Sequence, residues 1–206
     1  MRVCSVLAAK GGVGKTTLCT TLAVAAVQDG KKAGIFDLDP QASATFWFDT
    51  REAETPPVAS LVPSRLTHTL KAAEAAGFDL ALIDTPPHNR DIAFEAAEAS
   101  DLIIVPARPA VFDARAVEAT LSIIRATGKP TYAVLTMCQP FGREVADTAE
   151  ALALMGAIVC PVQIGHRIAY SRAQQTGLAA QELDPDGKAA DEIKQLYAFI
   201  CSRLNS

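Results

Sequence analysis

Hydrophobic positions along the chain alternate between short β-branched runs and longer alanine-rich stretches with helical spacing. Six apolar runs predict strands, at Val3–Ala8, Ala33–Asp37, Leu80–Asp84, Leu102–Pro106, Thr131–Thr136 and Ala157–Cys160. The stretches between and after them predict helices, at Lys15–Gln28, Ser64–Ala76, Ala93–Ala99, Asp113–Ala126, Arg143–Met155, Arg167–Thr176 and Lys188–Leu204. Alternating strands and helices favour an α/β fold with a mostly parallel sheet and helices on both faces.

One segment, Asp49–Pro63, fits neither period, because it mixes charges and threonines with three prolines. We expect an irregular connection there. A chain of 206 residues, half of them hydrophobic, is long enough for one compact domain with a sizeable core. We therefore expect residues 1–206 to form a single domain.

Charge and cysteine usage narrow the class of protein. The 19 Lys and Arg residues against 23 Asp and Glu residues leave a net charge of −4, which argues against a uniformly basic, nucleic-acid-coating surface. The five cysteines are scattered singly, without metal-ligand spacing, and are typical of reduced cytosolic thiols. No apolar stretch reaches the length of a membrane span, and the N-terminus lacks a signal-peptide pattern. These features predict a cytoplasmic protein.

A glycine-rich segment between the first predicted strand and the first predicted helix has the composition of a phosphate-binding loop. Glycines let backbone N–H groups converge on phosphate oxygens, and the helix N-terminus adds partial positive charge. In that context Lys15 would reach the β and γ phosphates, and the Thr16 hydroxyl would ligate Mg²⁺. The residues expected to bind the nucleotide here are Gly11, Gly12, Val13, Gly14, Lys15, Thr16 and Thr17.

The loop departs from the G-x-x-x-x-G-K-[ST] pattern, because Ala9 stands in place of the first glycine and Lys10 is an additional lysine. Residues 10–16 instead match K-G-G-x-G-K-[ST] and resemble the deviant Walker A ATPases of the ParA and MinD group. The resemblance spans nearly the whole chain and implies a P-loop ATPase that dimerises around two ATP molecules. It assigns Lys10 a catalytic role at the nucleotide of the other subunit; the sequence also permits Lys10 to fold back onto its own nucleotide.

Three aspartates end predicted strands at the edge that should face the phosphates. Asp37 and Asp39 point the same way on an extended chain, and Asp84 ends the strand Leu80–Asp84. The resemblance implies that Asp39 orients the attacking water, that Asp37 supports the loop near Lys15, and that Asp84 holds Mg²⁺ with Thr16. Asp37 and Asp39 could alternatively serve only as a strand-end cap.

Later strand ends carry weaker signals. The resemblance places the adenine beside Met137, Pro161 and Val162, and it places Asp113 before a dimer-facing helix. The residues themselves do not select ATP over GTP, and Asp113 is equally suited to cap a helix.

A possible DNA contact lies between Pro161 and Gln181, where no acidic residue occurs while Arg167 and Arg172 are present. Such a cationic stretch could contact phosphates without reading the sequence. The two arginines stand about 140° apart on a helix, so they do not form one stripe, and a solvated face explains them equally well.

The function that the resemblance implies is a small, ParF-like partition ATPase with ATP and Mg²⁺ as cofactors. We expect a homodimer that binds DNA non-specifically in the ATP state and therefore associates with the nucleoid. A centromere-binding or adaptor partner is expected to stimulate hydrolysis and release the dimer. The expected cargo is a plasmid. The alternatives are a membrane-associated MinD-type positioning ATPase and a metabolic enzyme of the amide or cobyrinate synthase kind.

Overall fold

The computed structural model describes residues 1–205, apart from the side chains of residues 111, 112 and 114. The strands are β1 (Arg2–Val6), β2 (Ala33–Asp37), β3 (Val58–Ser60), β4 (Leu80–Asp84), β5 (Leu102–Ala107), β6 (Thr131–Leu135) and β7 (Ile158–Val159). The α-helices are α1 (Lys15–Gln28), α2 (Ser43–Thr50), α3 (Leu66–Ala75), α4 (Arg90–Glu98), α5 (Val111–Ile124), α6 (Glu144–Leu154), α7 (Ile168–Gln175), α8 (Ala180–Leu183) and α9 (Lys188–Leu204).

In the described part of the chain, all seven strands pair in parallel, in the order β3-β2-β4-β1-β5-β6-β7. One hydrophobic core lies between the sheet and α1, α2, α7, α8 and α9, and a second lies between the opposite face and α3 to α6. The central strands are apolar throughout because both of their faces are buried, as is usual in parallel sheets. The predicted α/β fold is therefore confirmed.

Strand register sets the position of the acidic residues. Asp84 at the end of β4 pairs with Val6 of β1 on one side and with Asp37 of β2 on the other. The order of the strands reverses at β1, and in open α/β sheets ligands bind at the carboxyl ends of the strands beside such a reversal. The fold thus brings two buried carboxylates next to the loop between β1 and α1.

The structure differs from the sequence prediction between residues 41 and 63. Helix α2 forms at Ser43–Thr50, mostly where no element was predicted. Its last two residues and the edge strand Val58–Ser60, which is parallel to β2, fall within Asp49–Pro63, so the segment predicted to be irregular is partly ordered. Tertiary contacts explain helix α2, because Trp47 is buried and its indole Nε1 donates to the Leu178 carbonyl at 3.0 Å. A three-residue strand has too little pattern to be detected in sequence.

Other differences concern the ends of elements and one short helix. Strand β7 has two residues instead of four, α4 begins at Arg90 after an Asn89 cap, and α8 is an additional helix that the pattern does not predict. Within residues 1–205, no helix is both long and apolar enough to cross a membrane.

Candidate functional site

The loop between β1 and α1 has the backbone conformation of a phosphate cradle. Gly12 (φ 70°) and Gly14 (φ 94°) adopt left-handed conformations that residues with a Cβ rarely take, and Gly14 precedes the first turn of α1. Val13 is buried, and its carbonyl accepts a hydrogen bond of 2.9 Å from the Thr136 hydroxyl at the end of β6. The loop is therefore fixed to the sheet, and the N-terminus of α1 follows it directly.

A cavity of about 720 Å³ opens beside this loop. Its volume lies within the range of small-molecule sites. The loop, the turn after β2, helix α2 and helix α7 contribute to its wall, which includes Gly11, Gly12, Gly14, Lys15, Thr16, Thr17, Asp39, Gln41, Phe46, Trp47, Pro87, Met137, Ser171, Gln174 and Gln175. Most of the residues predicted to bind the nucleotide thus lie around one space.

Lys15 is the buried cation of this cavity. Burial lowers the pKa of Lys15, while the negative charges of Asp84 and Asp39 act in the opposite direction. A cation that is held among carboxylates and removed from water is well placed to receive the phosphate oxygens of a nucleotide.

Asp84 and Thr16 are suited to hold Mg²⁺. The Thr16 hydroxyl donates to Asp84 Oδ2 at 2.6 Å, whereas Asp84 Oδ1 is buried without a hydrogen-bond partner among the described residues. Burial raises the pKa of Asp84 to about 7, and the hydrogen bond from Thr16 opposes that shift. An unpaired buried carboxylate oxygen next to a hydroxyl is a donor set that fits a hard divalent cation, directly or through water.

Asp37 organises the turn that carries Asp39. Its carboxylate accepts from the backbone N–H of Asp39 at 3.0 Å, and from the N–H and hydroxyl of Thr45 at 3.2 and 3.1 Å. These bonds attach the start of α2 to the end of β2. Asp37 was expected to support the phosphate loop near Lys15. Among the described residues, its carboxylate instead bonds this turn, so Asp37 is a buried support for Asp39 and α2. Asp39, partly exposed, lines the cavity beside Lys15.

Lys10 does not line this cavity among the described residues, although it precedes the loop glycines. Its Nζ forms an ion pair with Oδ1 of Asp113, a residue that is 1% exposed in the first turn of α5. Asp113 Oδ2 accepts from the backbone N–H and the Nε of Arg108, both at 3.2 Å. Asp113 does not cap α5, because Ala110 occupies the N-cap position; its side chain instead reaches back to Lys10 and Arg108.

The far end of the cavity differs from the prediction. Met137 lines it with a positive φ of 55°, but Pro161 and Val162 do not, because β7 is short and Val162 packs against the core. Ser171, Gln174 and Gln175 of α7 take that place. The Gln174 side chain donates to the Thr17 hydroxyl at 2.9 Å, a contact across 157 positions that no sequence signal indicates.

The two arginines proposed to contact DNA have different surroundings. Arg167 donates to Glu192 of α9 at 2.9 and 2.5 Å, whereas Arg172 is exposed on α7. Glu192 of α9 therefore places a carboxylate beside the stretch between Pro161 and Gln181, which contains no acidic residue. The net positive charge of this surface is smaller than the linear sequence indicates.

Comparisons with known proteins agree with this geometry. The family model described as the CobQ/CobB/MinD/ParA nucleotide binding domain matches residues 4–195. The Maintenance of carboxysome distribution protein A of Gloeobacter kilaueensis is 32% identical over 99% of this chain and 94% of its own length. The Chromosome-partitioning ATPase Soj of Thermus thermophilus is 29% identical over 61% of this chain and 64% of its own.

Solved structures share the fold at low sequence identity. The MinC:MinD cell division protein complex of Aquifex aeolicus matches with a TM-score of 0.80 and 17% identity, over 98% of this chain and 96% of the solved one. The septum site-determining protein MinD of Pyrococcus horikoshii, complexed with Mg-ADP, matches with a TM-score of 0.80 and 16% identity, over 97% and 95% of the two chains.

Proposed function

The chain belongs to the CobQ/CobB/MinD/ParA nucleotide-binding family, and from this premise we propose that it is the ATPase of a cargo-positioning system. ATP binds in the cavity beside the phosphate loop, with its phosphates at Lys15 and the N-terminus of α1 and its adenine toward Met137 and α7. Thr16 and Asp84 would hold Mg²⁺, which when bound would neutralise part of the phosphate charge. Asp39, fixed by Asp37, orients the attacking water.

The position of Lys10 is the observation that carries the proposed mechanism. Its ammonium group is paired with Asp113 outside the cavity, so the cavity contains Lys15 as its own phosphate-binding lysine. A second copy of the chain, facing the first across the nucleotides, would receive Lys10 at its γ phosphate. A cation delivered by a neighbour makes hydrolysis conditional on pairing, because phosphoryl transfer depends mainly on positioning and charge.

The pairing step is tested by comparing Lys10→Ala with wild type for dimerisation in a non-hydrolysable ATP analogue. We expect the variant to bind nucleotide through Lys15 but to remain a single chain in analytical ultracentrifugation. Lys71→Ala, which changes an exposed lysine on α3, is the matched control and should dimerise normally. Normal dimerisation and hydrolysis by Lys10→Ala would show that the lysine does not act across subunits.

We propose that the ATP-bound dimer binds DNA without sequence preference and thereby associates with the nucleoid. The exposed Arg172 supports this role, while Arg167, whose charge is offset by Glu192, contributes less than the sequence suggested. Retention of the protein on random duplex DNA should require ATP and should decrease steeply with salt. Arg172→Ala should weaken this retention. The matched control is Arg143→Ala, which changes an exposed arginine just before α6 and should leave the retention unchanged. Sedimentation with vesicles instead of DNA would favour a MinD-type membrane role, and retention on neither would favour a metabolic enzyme.

We propose a plasmid as the cargo, with a DNA-bound partner protein that stimulates hydrolysis. The relatives named for carboxysome distribution make a protein assembly the second candidate. Deletion of the gene that encodes this chain distinguishes the two candidate cargoes. Rapid accumulation of plasmid-free cells supports the plasmid, whereas normal plasmid inheritance with clustered protein assemblies supports the second candidate.

A further inference from the structure

A cluster of one buried acid and two cations lies beside the phosphate loop, outside the nucleotide cavity. Asp113 is 1% exposed and accepts from Lys10 at one carboxylate oxygen and from Arg108 at the other. Burial alone would raise the pKa of Asp113, but the hydrogen bonds from Lys10 and Arg108 outweigh it and lower that pKa. The negative charge of Asp113 is therefore stabilised in its buried position by the two basic side chains.

We propose that Asp113 is a positioning residue for Lys10: it holds the lysine against α5 of its own chain, and pairing requires Lys10 to leave Asp113 for the nucleotide of a second copy. This inference rests on the proposed function of Lys10 across subunits. Asp113 then competes with the triphosphate, so that unpaired chains keep Lys10 away from their own nucleotide.

The second cation makes the release of Lys10 feasible. If Lys10 were the single partner of Asp113, its departure would leave a buried carboxylate without compensation, which is strongly unfavourable. Arg108 retains its side-chain and backbone hydrogen bonds to Oδ2 when Lys10 leaves Oδ1. The carboxylate thus remains paired in both positions of the lysine.

The backbone around Lys10 is fixed to the same helix that carries Asp113. The Ala9 N–H donates to the Thr120 hydroxyl of α5 at 3.0 Å, and Thr120 is buried. Lys10 keeps 35% of its side chain exposed, so the side chain has room to rotate toward solvent and a second copy. The backbone before Lys10 is thus held in place, while its side chain can leave Asp113 by a change of rotamer.

The proposal predicts opposite effects for the two neighbours of Lys10. Asp113→Asn keeps the shape but replaces the charged acceptor of Lys10 with a neutral amide, and should free Lys10. Arg108→Ala leaves Lys10 as the remaining side-chain cation on Asp113, and should hold it more tightly. A merely structural role for the cluster would instead impair both variants in the same direction.

The first measurement is the rate at which an amine-reactive reagent labels Lys10 in the nucleotide-free protein, followed by mass spectrometry with Lys71 as internal reference. We expect labelling about fivefold faster in Asp113→Asn than in wild type, because a carboxylate holds the lysine more strongly than a neutral amide does. We expect slower labelling in Arg108→Ala, because Asp113 then has no second side-chain cation to pair with. Unchanged labelling in Asp113→Asn, or faster labelling in Arg108→Ala, would overturn the proposal. If Asp113→Asn does not fold, the direction in Arg108→Ala alone decides.

The second measurement is the protein concentration at which half of the chains dimerise in the non-hydrolysable analogue. Formation of one dimer requires Lys10 to leave Asp113 in both chains. If Asp113→Asn makes each departure about fivefold more favourable, the concentration for half dimerisation should fall about 25-fold, whereas Arg108→Ala should raise it. If wild type does not dimerise, the proposed function fails while the labelling still tests the Asp113 contact. If wild type dimerises and Asp113→Asn does so no more readily, the positioning role is wrong.

Discussion

Asp84→Asn should stabilise the nucleotide-free and metal-free protein at alkaline pH while abolishing its response to Mg²⁺ and ATP. Asp84 is buried, and one of its oxygens has no hydrogen-bond partner among the described residues. Burial raises its pKa from 3.8 to about 7. An asparagine keeps an acceptor for Thr16 but carries no charge into the interior.

The direction of the pH effect follows from proton binding. Between about pH 4 and pH 7 the folded chain keeps a proton on Asp84 that the unfolded chain has lost, so stability falls as the pH rises. At about 1.4 kcal/mol per pH unit, this interval corresponds to a deficit on the order of 4 kcal/mol above pH 7. Asp84→Asn removes the deficit, so we expect the variant to be more stable than wild type by about 2–4 kcal/mol at pH 8 and equal to it near pH 4.

Urea unfolding at pH 8 and pH 4, in the presence of EDTA and without nucleotide, measures this difference. The matched control is Asp186→Asn, an exposed aspartate in the turn before α9, which should change stability little at either pH. Added Mg²⁺ and ATP should stabilise wild type but not Asp84→Asn. A variant that is no more stable than wild type at pH 8 would refute the inference that burial makes the charge of Asp84 destabilising.

Three further substitutions test other parts of the cavity. Asp39→Ala should retain nucleotide binding but lower phosphate release about 100-fold or more, and an equal loss of affinity would contradict its role toward water. Gly14→Ala forces a side chain into a backbone with φ 94° and should destabilise the protein by about 1–2 kcal/mol in thermal unfolding; unchanged stability would refute that strain. Gln174→Ala removes the contact with Thr17 and should weaken nucleotide affinity about fivefold by calorimetry, whereas wild-type affinity would exclude α7 from the site.

The strand ends were predictable because they depend on local pattern and on a general property of parallel sheets. Asp37 and Asp84 each close an apolar run, and the register of β2 and β4 places them side by side, as expected for the carboxyl edge. The phosphate loop was likewise recognisable, because Gly12 and Gly14 occur where a left-handed backbone is needed.

The contacts between distant segments could not be predicted. Lys10 and Asp113 are separated by 103 positions, and no periodicity relates them. A linear count of charges also missed Glu192, which lies 25 positions from Arg167 and offsets its charge. Such pairs are set by how helices pack on the sheet, and that packing is not contained in the pattern of any single segment.

The central claim, that Lys10 completes the nucleotide site of a second copy, is tested most directly by mixing two inactive variants, Lys10→Ala and Asp39→Ala. In a mixed dimer, the subunit with Lys10→Ala keeps its own Asp39 and would receive Lys10 from its neighbour, so one site of two is complete. A mixed dimer keeps one of the two Lys10 contacts that favour pairing, so at high protein concentration an equal mixture should recover phosphate release well above either variant alone. The ceiling is about one quarter of the wild-type rate, which is reached when about half of the chains pair as mixed dimers. If Lys10 acts within its own subunit, no site in the mixture is complete, and the rate stays at the level of the separate variants.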